Sequence, residues 1–200
     1  MSEAARRFAR ILKTAPTNQI NFHLGGLPVT PQGYYDVGCE IEAEHIRLLR
    51  SRDLPLTVGA EYRWQENRLV VSYELESVLG TISGRSSIVH EGVHAMIDRN
   101  RAVATTILTA EAAAYIAQLI YRLLSGDDLH AWIEANRDDT TRSAGAIYYQ
   151  ALQLIERYRL LTGSATIPWP ESQTLRDTIS SHPLYRGVRA TELHGADGVP

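Results

Sequence analysis

Apolar and polar positions alternate with two different periods along the chain, and the change of period separates a strand region from a helical half. Apolar residues stand at every second position in residues 56–64, LTVGAEYRW, and again in residues 68–75, RLVVSYEL, which is typical of strands with one buried face. The polar residues 65–67 between them predict a hairpin turn. INFHL, at residues 20–24, predicts one further short strand.

Helical spacing, with apolar residues three or four positions apart, predicts most of the remaining elements. An amphipathic helix is predicted over residues 3–13, and the segment 39–52, CEIEAEHIRLLRSR, has helical spacing as well. Ser86 or Ser87 is expected to cap a helix that ends near Asp98. Further helices are predicted over residues 104–124, 127–136, 141–161 and 172–180.

Strands followed by helices predict the α+β class, with a small, mostly antiparallel sheet packed on a helical half. One domain is expected over residues 1–185, because 200 residues with 44% hydrophobic content can bury a core of their own. Residues 167–172, IPWPES, predict a loop. Residues 186–200, RGVRATELHGADGVP, are expected to form a poorly ordered tail.

Charge, cysteine content and hydropathy narrow the kinds of partner and site. The formal net charge is -3 and the basic residues are scattered, so no nucleic-acid partner is expected. Cys39 is the only cysteine, so any metal site would use His, Asp and Glu. Residues 1–16 lack the features of a secretory signal, and we expect a cytoplasmic protein. The most apolar window, residues 102–121, contains Glu111 and Gln118 and predicts a buried helix rather than a membrane span.

The predicted helix that follows residue 86 carries His90, Glu91 and His94 in the order His-Glu-x-x-His. Residues four apart on a helix lie one above the other, so the two imidazoles can bind one metal ion. Glu91 lies about 100° further around the axis, where it can reach a water on the metal without being a ligand. Gly92 costs about 1 kcal/mol of helix stability relative to Ala, and such a glycine often marks the close approach of another segment. Because the motif is short, a chance occurrence is the alternative.

A catalytic zinc ion takes three protein ligands, so one more must come from elsewhere in the chain. Glu111 is a lone acid in an alanine-rich helical segment, where an unpaired buried carboxylate would be costly. Metal binding would remove that cost, and the alanines would let this helix approach the first one closely. Tyr115, one turn later, would lie on the same face and could donate a hydrogen bond to a ligand or an oxyanion. The alternative places Glu111 exposed near the helix start, favoured by the helix dipole.

Other acids and histidines compete with Glu111 for the place of third ligand. The competitors are Asp98, His130, Asp127, Asp128 and His182. Asp98 is better placed to orient His94 by a hydrogen bond or to cap the end of the helix. The remaining histidines are interpreted as surface or structural residues, namely His23, His45 and His194. Cys39 and His45 are six residues apart on a predicted helix and face differently, which disfavours a nucleophile and base pair.

HEGVHAMID, followed after a short connection by EAAAY, resembles the zincin metallopeptidases of the gluzincin type. The similarity is closer to small bacterial zincin-like proteins of unassigned function, including metallopeptidase-like toxin domains, and covers residues 56–124. The resemblance implies a zincin-like fold, a Zn²⁺ cofactor held by His90, His94 and Glu111, and Glu91 as general base. It also implies that the strand at residues 68–75 runs along the cleft and pairs with an extended substrate.

The sequence departs from two related patterns. The third histidine and the glycine of the metzincins do not follow at their spacing, and Tyr115 stands where some larger gluzincins place an Asp. The residue that stabilises the oxyanion is therefore open, with candidates in decreasing order of preference: Tyr115, Tyr148, Tyr149 and His182.

These observations predict a zinc-dependent hydrolase, with a metallopeptidase acting on a peptide or protein as the first hypothesis. In this hypothesis Glu91 takes a proton from the zinc-bound water and passes it to the leaving amine. A second hypothesis is a zincin-fold binding or effector module that holds zinc without general peptidase activity. A third is a helical interaction domain without a metal. The sequence indicates no oligomeric state and no membrane partner.

Overall fold

The computed structural model describes residues 1–54, 59–72, 75–140 and 144–199. These residues form an α+β fold, whose elements we number in chain order. The helices are α1 (Glu3–Lys13), α2 (Pro31–Glu42), α3 (Leu75–Gly80), α4 (Ile82–Arg99), α5 (Ile107–Leu124), α6 (His130–Ala135), α7 (Gly145–Arg157) and α8 (Gln173–Ser181). The strands are β1 (Phe22–Leu24), β2 (Leu27–Val29), β3 (Arg47–Ser51), β4 (Ala60–Arg63), β5 (Arg68–Ser72) and β6 (Ala165–Ile167).

The strands form two small mixed sheets rather than the single, mostly antiparallel sheet that the sequence predicts. In the first sheet, β1 pairs antiparallel with β2 and parallel with β6. In the second sheet, β5 is central and pairs antiparallel with β4 and parallel with β3. Hairpin pairs follow from local alternation and a short turn, whereas the two parallel pairs join strands that are not hairpin neighbours. The sequence predicted the antiparallel pair of β4 and β5 and the strand β1, but neither β2 nor the two parallel pairs.

The predicted hairpin is confirmed as β4 and β5, with Tyr62 opposite Leu69. Ala60 and Tyr62 are buried while Glu61 is partly exposed, as the alternation predicts. Parts of the predicted strands, at residues 55–58 and 73–74, lie outside the described residues. The predicted helix over residues 3–13 is confirmed as α1, and the predicted strand at residues 20–24 as β1.

The helical prediction for residues 39–52 is wrong beyond Glu42. Helix α2 begins earlier, at Pro31, where the Thr30 hydroxyl accepts a hydrogen bond from the Gly33 amide over 3.1 Å and proline occupies the first helical position. Glu44 then adopts a left-handed φ of 63°, and the chain continues into β3. The parallel pairing of β3 with β5 overrides the helical spacing of this segment. The predicted loop at residues 167–172 contains the end of β6 and a 3-10 turn at Trp169–Ser172.

The later helices are confirmed with altered ends. Helix α4 begins at Ile82, because the Thr81 hydroxyl and not Ser86 or Ser87 caps it, accepting a hydrogen bond from the Gly84 amide over 3.0 Å. Helix α5 begins three residues later than predicted, where Thr106 provides the cap. Helices α6 and α7 are shorter than predicted. Residues 141–143, where the helix predicted over residues 141–161 begins, lie outside the described part of the chain. Helix α8 agrees with its prediction to within one residue.

Helix α5 lies in the hydrophobic core and packs along α4. It has the length and composition of a membrane span, and 72% of it is buried inside the fold. Its alanines Ala110, Ala112, Ala113 and Ala114 are fully buried. Side chains this small allow two helix backbones to approach closely, so the sequence of α5 favours its tight packing against α4.

Gly92 marks the place where α1 and α2 approach α4. A Cβ atom at residue 92 would lie 2.9 Å from Tyr34 Cε1 and 3.1 Å from Leu12 Cδ2. Tyr34 is fully buried, and its hydroxyl donates a hydrogen bond to the Val89 carbonyl over 3.3 Å. The ring therefore has little room to move, and the close approach expected from the sequence explains the glycine.

Replacing Gly92 with Ala is expected to lower the free energy of unfolding by up to about 2 kcal/mol. Alanine favours the helix by about 1 kcal/mol, but the clash with the Tyr34 ring costs about 1–3 kcal/mol. Denaturant unfolding measures the difference. Gly80→Ala is the matched control, because no atom lies within 4 Å of a Cβ atom at that position. A Gly92→Ala variant as stable as the control would contradict the close-packing explanation.

Candidate metal centre

Helices α4 and α5 bring His90, His94 and Glu111 together. One ligand atom from each residue lies within 4.8 Å of the other two. His90 Nε2 is 3.3 Å from Glu111 Oε2, and His94 Nε2 is 3.5 Å from Glu111 Oε1. The two histidines are one turn apart on α4, as their spacing predicts, while Glu111 lies in the second turn of α5. The three predicted ligands therefore face one point.

The cluster is largely buried and is therefore not a group of surface charges. The side chains of His90, His94 and Glu111 are 12%, 8% and 14% exposed. Glu111 is thus not the exposed acid of the alternative interpretation. Polar groups buried to this degree need partners, and each of these three residues has the other two or their neighbours as partners.

The outer nitrogen of each imidazole also has a partner. His90 Nδ1 lies 3.2 Å from Gln118 Oε1, while Gln118 Nε2 donates to Ser86 Oγ over 3.4 Å. Because an amide oxygen only accepts, His90 carries a proton on Nδ1, and its Nε2 atom faces Glu111. His94 Nδ1 lies 3.1 Å from His194 Nε2. Both outer contacts thus hold an imidazole in the orientation that a metal ligand needs.

Burial and neighbouring charges set the ionisation of the cluster. Burial lowers the pKa of His94 to about 3, so its imidazole is neutral at pH 7. Burial alone would raise the pKa of Glu111, but the two imidazoles and a hydrogen bond from Tyr185 outweigh it and lower that pKa to about 2. For His90, burial lowers the pKa, but the carboxylates of Glu111 and Glu91 outweigh it and raise the pKa. Glu111 is therefore ionised and ready to bind a cation.

Glu91 lies beside the cluster on α4 and lines the same cleft. The Tyr62 backbone amide donates a hydrogen bond to Glu91 Oε2 over 2.8 Å. Burial raises the pKa of the Glu91 carboxyl to about 7, and the Tyr62 amide and the charge on His90 limit the rise. This carboxylate is held in place by β4 and lies at the site without being one of the three clustered ligands.

The cleft in front of the cluster has a volume of about 450 Å³. Its walls come from Leu54 and β4 on one side and from the C-terminal part of the chain on the other. Apart from the four residues described above, the lining consists of Leu54, Ala60, Glu61, Tyr62, Leu184, Tyr185 and His194. The strand beside the site is therefore β4, at the edge of its sheet, and not the strand at residues 68–75 that the sequence predicted. Most of that strand is the central β5, whose two edges are paired with β3 and β4.

Tyr185, and not the predicted Tyr115, is the tyrosine that lines the cleft next to Glu111. Tyr185 lines the cleft, and its hydroxyl donates a hydrogen bond to Glu111 Oε2 over 2.7 Å. The predicted Tyr115 lies behind it, with its hydroxyl 3.2 Å from that of Tyr185 and its ring edge-on to His90. Tyr148 is buried against the ring of Tyr115, and neither Tyr149 nor His182 is among the cleft-lining residues. Tyr115 thus contacts the site through Tyr185 and His90.

Sequence reasoning missed Tyr185 and the role of His194. Both belong to the stretch SHPLYRG to ELHG, which has no periodicity and no spacing relation to the motif on α4. The segment 186–199, predicted as a loose tail, runs beside α4 and places His194 against His94. No local signal could have found either residue, because tertiary folding alone brings them to the site.

The competing ligand candidates lie elsewhere. Asp127 pairs with Arg122 at 2.7 Å, and His130 lies 3.9 Å from Glu156. Asp128 is exposed, and neither Asp128 nor His182 lines the cleft. In the described ranges, the His, Cys, Asp and Glu side chains whose ligand atoms cluster in this way are His90, His94 and Glu111.

Asp98 has a structural role instead of the expected contact with His94. It is fully buried, accepts a hydrogen bond from the Tyr62 hydroxyl over 2.7 Å, and accepts another from the Gly198 amide over 2.9 Å. This carboxylate joins β4, α4 and the segment 186–199 behind the cleft.

No protein-family model, curated protein or solved structure matches this chain.

Replacing Asp98 with Ala is expected to lower the free energy of unfolding by about 3–6 kcal/mol. The change leaves the Tyr62 hydroxyl and the Gly198 amide without their charged acceptor, and hydrogen bonds to charged groups contribute about 1.5–3 kcal/mol each. Denaturant unfolding measures the loss, and Asp128→Ala, at an exposed position, is the control. Equal stability of the two variants would refute the structural role of Asp98.

Proposed function

We propose that this protein is a zinc-dependent hydrolase, and more narrowly a metallopeptidase of the zincin type. The observation that carries the proposal is the convergence of His90, His94 and Glu111, with Glu91 beside them in one cleft. Two imidazoles and a carboxylate are the ligand set of catalytic zinc sites that keep one position open.

The distances within the cluster support a fit to zinc. Two ligand atoms bound tetrahedrally to one zinc ion at about 2.0–2.1 Å lie about 3.3 Å apart. His90 Nε2 lies 3.3 Å from Glu111 Oε2 and His94 Nε2 lies 3.5 Å from Glu111 Oε1, while single ligand atoms of the three residues lie within 4.8 Å of one another. Glu111 is ionised, and both Nε2 atoms face it with their outer nitrogens engaged. His90, whose pKa is raised, would release its Nε2 proton when the ion binds. His90, His94 and Glu111 would therefore hold the ion with little rearrangement.

A bound zinc ion would lower the pKa of a water molecule to about 7 and polarise a carbonyl group. Glu91 is the general base in this proposal, because it lies in the cleft without being a clustered ligand. The Tyr62 amide holds its Oε2 atom, so we assign proton transfer to Oε1. Glu91 would take the proton of the attacking water and deliver it to the leaving amine.

Tyr185 takes the role for which the sequence suggested Tyr115. Its hydroxyl lines the cleft and lies 2.7 Å from Glu111 Oε2, so it is close to where the carbonyl oxygen of a substrate would meet the metal. A donor at this position can stabilise a developing oxyanion. Tyr115 would support Tyr185 through the 3.2 Å contact between the two hydroxyls.

The edge strand β4 supports a peptide as substrate. In the described part of its sheet, β4 pairs with β5 on one side only, and Ala60, Glu61 and Tyr62 line the cleft on the other. An extended peptide can add to such an edge through main-chain hydrogen bonds. The cleft volume of about 450 Å³ is within the range of sites that hold a few residues of a ligand.

Purified wild-type protein is expected to contain about one zinc ion per chain, and His94→Ala and Glu111→Ala are expected to lose most of it. Each substitution removes one of three ligands from the site. Metal analysis by mass spectrometry, covering zinc, iron and manganese, measures the content after dialysis. His130→Ala, at a half-exposed position away from the cluster, is the control. Equal zinc in all four proteins would exclude the site, and iron in place of zinc would redirect the proposal to a different chemistry.

Glu91→Gln is expected to keep its zinc and to lower kcat/KM for peptide hydrolysis by about 10²–10⁴-fold. Glutamine keeps the shape of the side chain but cannot take a proton. Cleavage of casein and of a mixed peptide library is followed for the wild type, for Glu91→Gln and for Glu156→Gln, the same change at an exposed position.

The outcomes separate the hypotheses. Cleavage by the wild type and the control but not by Glu91→Gln supports the peptidase. Equal cleavage by all three would show that Glu91 is not the base. A zinc-loaded wild type that cleaves none of these substrates would favour the binding or effector module over a general peptidase.

A further inference from the structure

His194 makes a contact with the site that the proposed mechanism does not use. Its Nε2 atom lies 3.1 Å from His94 Nδ1, and the two rings are parallel to within 2° with centroids 5.1 Å apart. With the two nitrogens this close and the centroids this far apart, the rings lie side by side, which suits a hydrogen bond near the ring planes. Residues 94 and 194 are thus joined directly across a hundred positions of sequence.

The neighbouring contacts fix which atom of each ring carries the proton. His194 Nδ1 lies 2.7 Å from the carbonyl oxygen of Gly195, so this nitrogen is protonated and donates. In a neutral ring, Nε2 of His194 then has the lone pair and accepts from His94 Nδ1–H. His94 Nε2 is left with its lone pair toward Glu111 Oε1, 3.5 Å away. The chain of bonds therefore selects the tautomer of His94 that can bind a metal.

The backbone around His194 is held by contacts on both sides. The His194 amide donates to the Thr105 carbonyl over 2.8 Å, and the Ile107 amide donates to the Glu192 carbonyl over the same distance. Gly195 packs so closely on the Trp64 ring that a Cβ atom there would overlap it. These contacts tie the segment to the start of α5 and to the turn after β4. His194 is thus placed by the fold.

We propose that His194 is a positioning residue of the metal centre, which holds the His94 ring in the orientation and tautomer needed for zinc. The proposal rests on the proposed zinc site. His90 has an equivalent partner in Gln118, which α5 supplies from the core, whereas the partner of His94 comes from the segment 186–199. Partners of this kind change metal affinity by about 10–100-fold when they are removed.

The test compares His194→Leu with His194→Gln. Leucine fills a similar volume without an acceptor, whereas Oε1 of glutamine reaches about as far as Nε2 of histidine and can accept from His94 Nδ1–H. We expect zinc to bind His194→Leu about 10–100-fold more weakly than wild type and His194→Gln within about threefold of it. Zinc dissociation constants come from competition with a chromophoric chelator, with His130→Leu as the control.

Two further measurements separate positioning from folding. The metal-free unfolding midpoints of both His194 variants are compared with that of the wild type. The visible spectrum of the Co²⁺-substituted proteins is expected to change in His194→Leu and to be restored in His194→Gln. In ¹⁵N-histidine spectra of the zinc-loaded wild type, His194 is expected to be the tautomer protonated on Nδ1, which tests the proposal without any substitution.

Each outcome decides between the proposals. Zinc binding by the wild type with weak binding only by His194→Leu supports the positioning role. Equal zinc affinity of wild type, Leu and Gln variants would overturn that role and leave the zinc site intact. Equal weakening in both variants, or a His194 ring protonated on Nε2, would overturn it as well. A wild type that binds no zinc would overturn the proposed function itself.

Discussion

The close packing of α4 on α5 is the constraint on which the site depends, because it forces three polar side chains into one buried volume. The small alanines around Glu111 let the two helices approach until its carboxylate meets the imidazoles of His90 and His94. Burial opposes charge on each of these groups, yet their mutual contacts keep Glu111 ionised. Buried clusters of polar and charged side chains are typical of functional sites, which often depart from the usual preference of such residues for the surface.

The part of this site that the sequence could predict is the part carried by helical geometry. His90, Glu91 and His94 follow from spacing on one helix, and Glu111 follows from the contrast between one acid and its apolar neighbours. The same local logic predicts α1, the hairpin of β4 and β5, and most of the later helices. These elements depend on neighbours within a few positions, so their patterns can be recognised in the chain itself.

What the sequence could not predict depends on contacts between distant segments. The pairing of β3 with β5 overrode a helical spacing, and β6 joins β1 from the other end of the chain. Tyr185 and His194 reach the cleft from a region without periodicity. Strand β4, and not the expected β5, lies beside the cleft, because the order of all the strands decides which of them forms the edge of the sheet. No local pattern records such arrangements.

The site therefore combines residues close together in the sequence with residues from distant segments. The proposed ligands stand on two consecutive, rigid helices, while the groups that orient them and shape the cleft come from β4 and the segment 186–199. Asp98 ties these parts together behind the cleft through Tyr62 and Gly198. Because an ion would bind more tightly when these supports are in place, its binding free energy would also stabilise the docking of the segment. Metal affinity and the order of the C-terminal region would then be linked through the imidazole of His94.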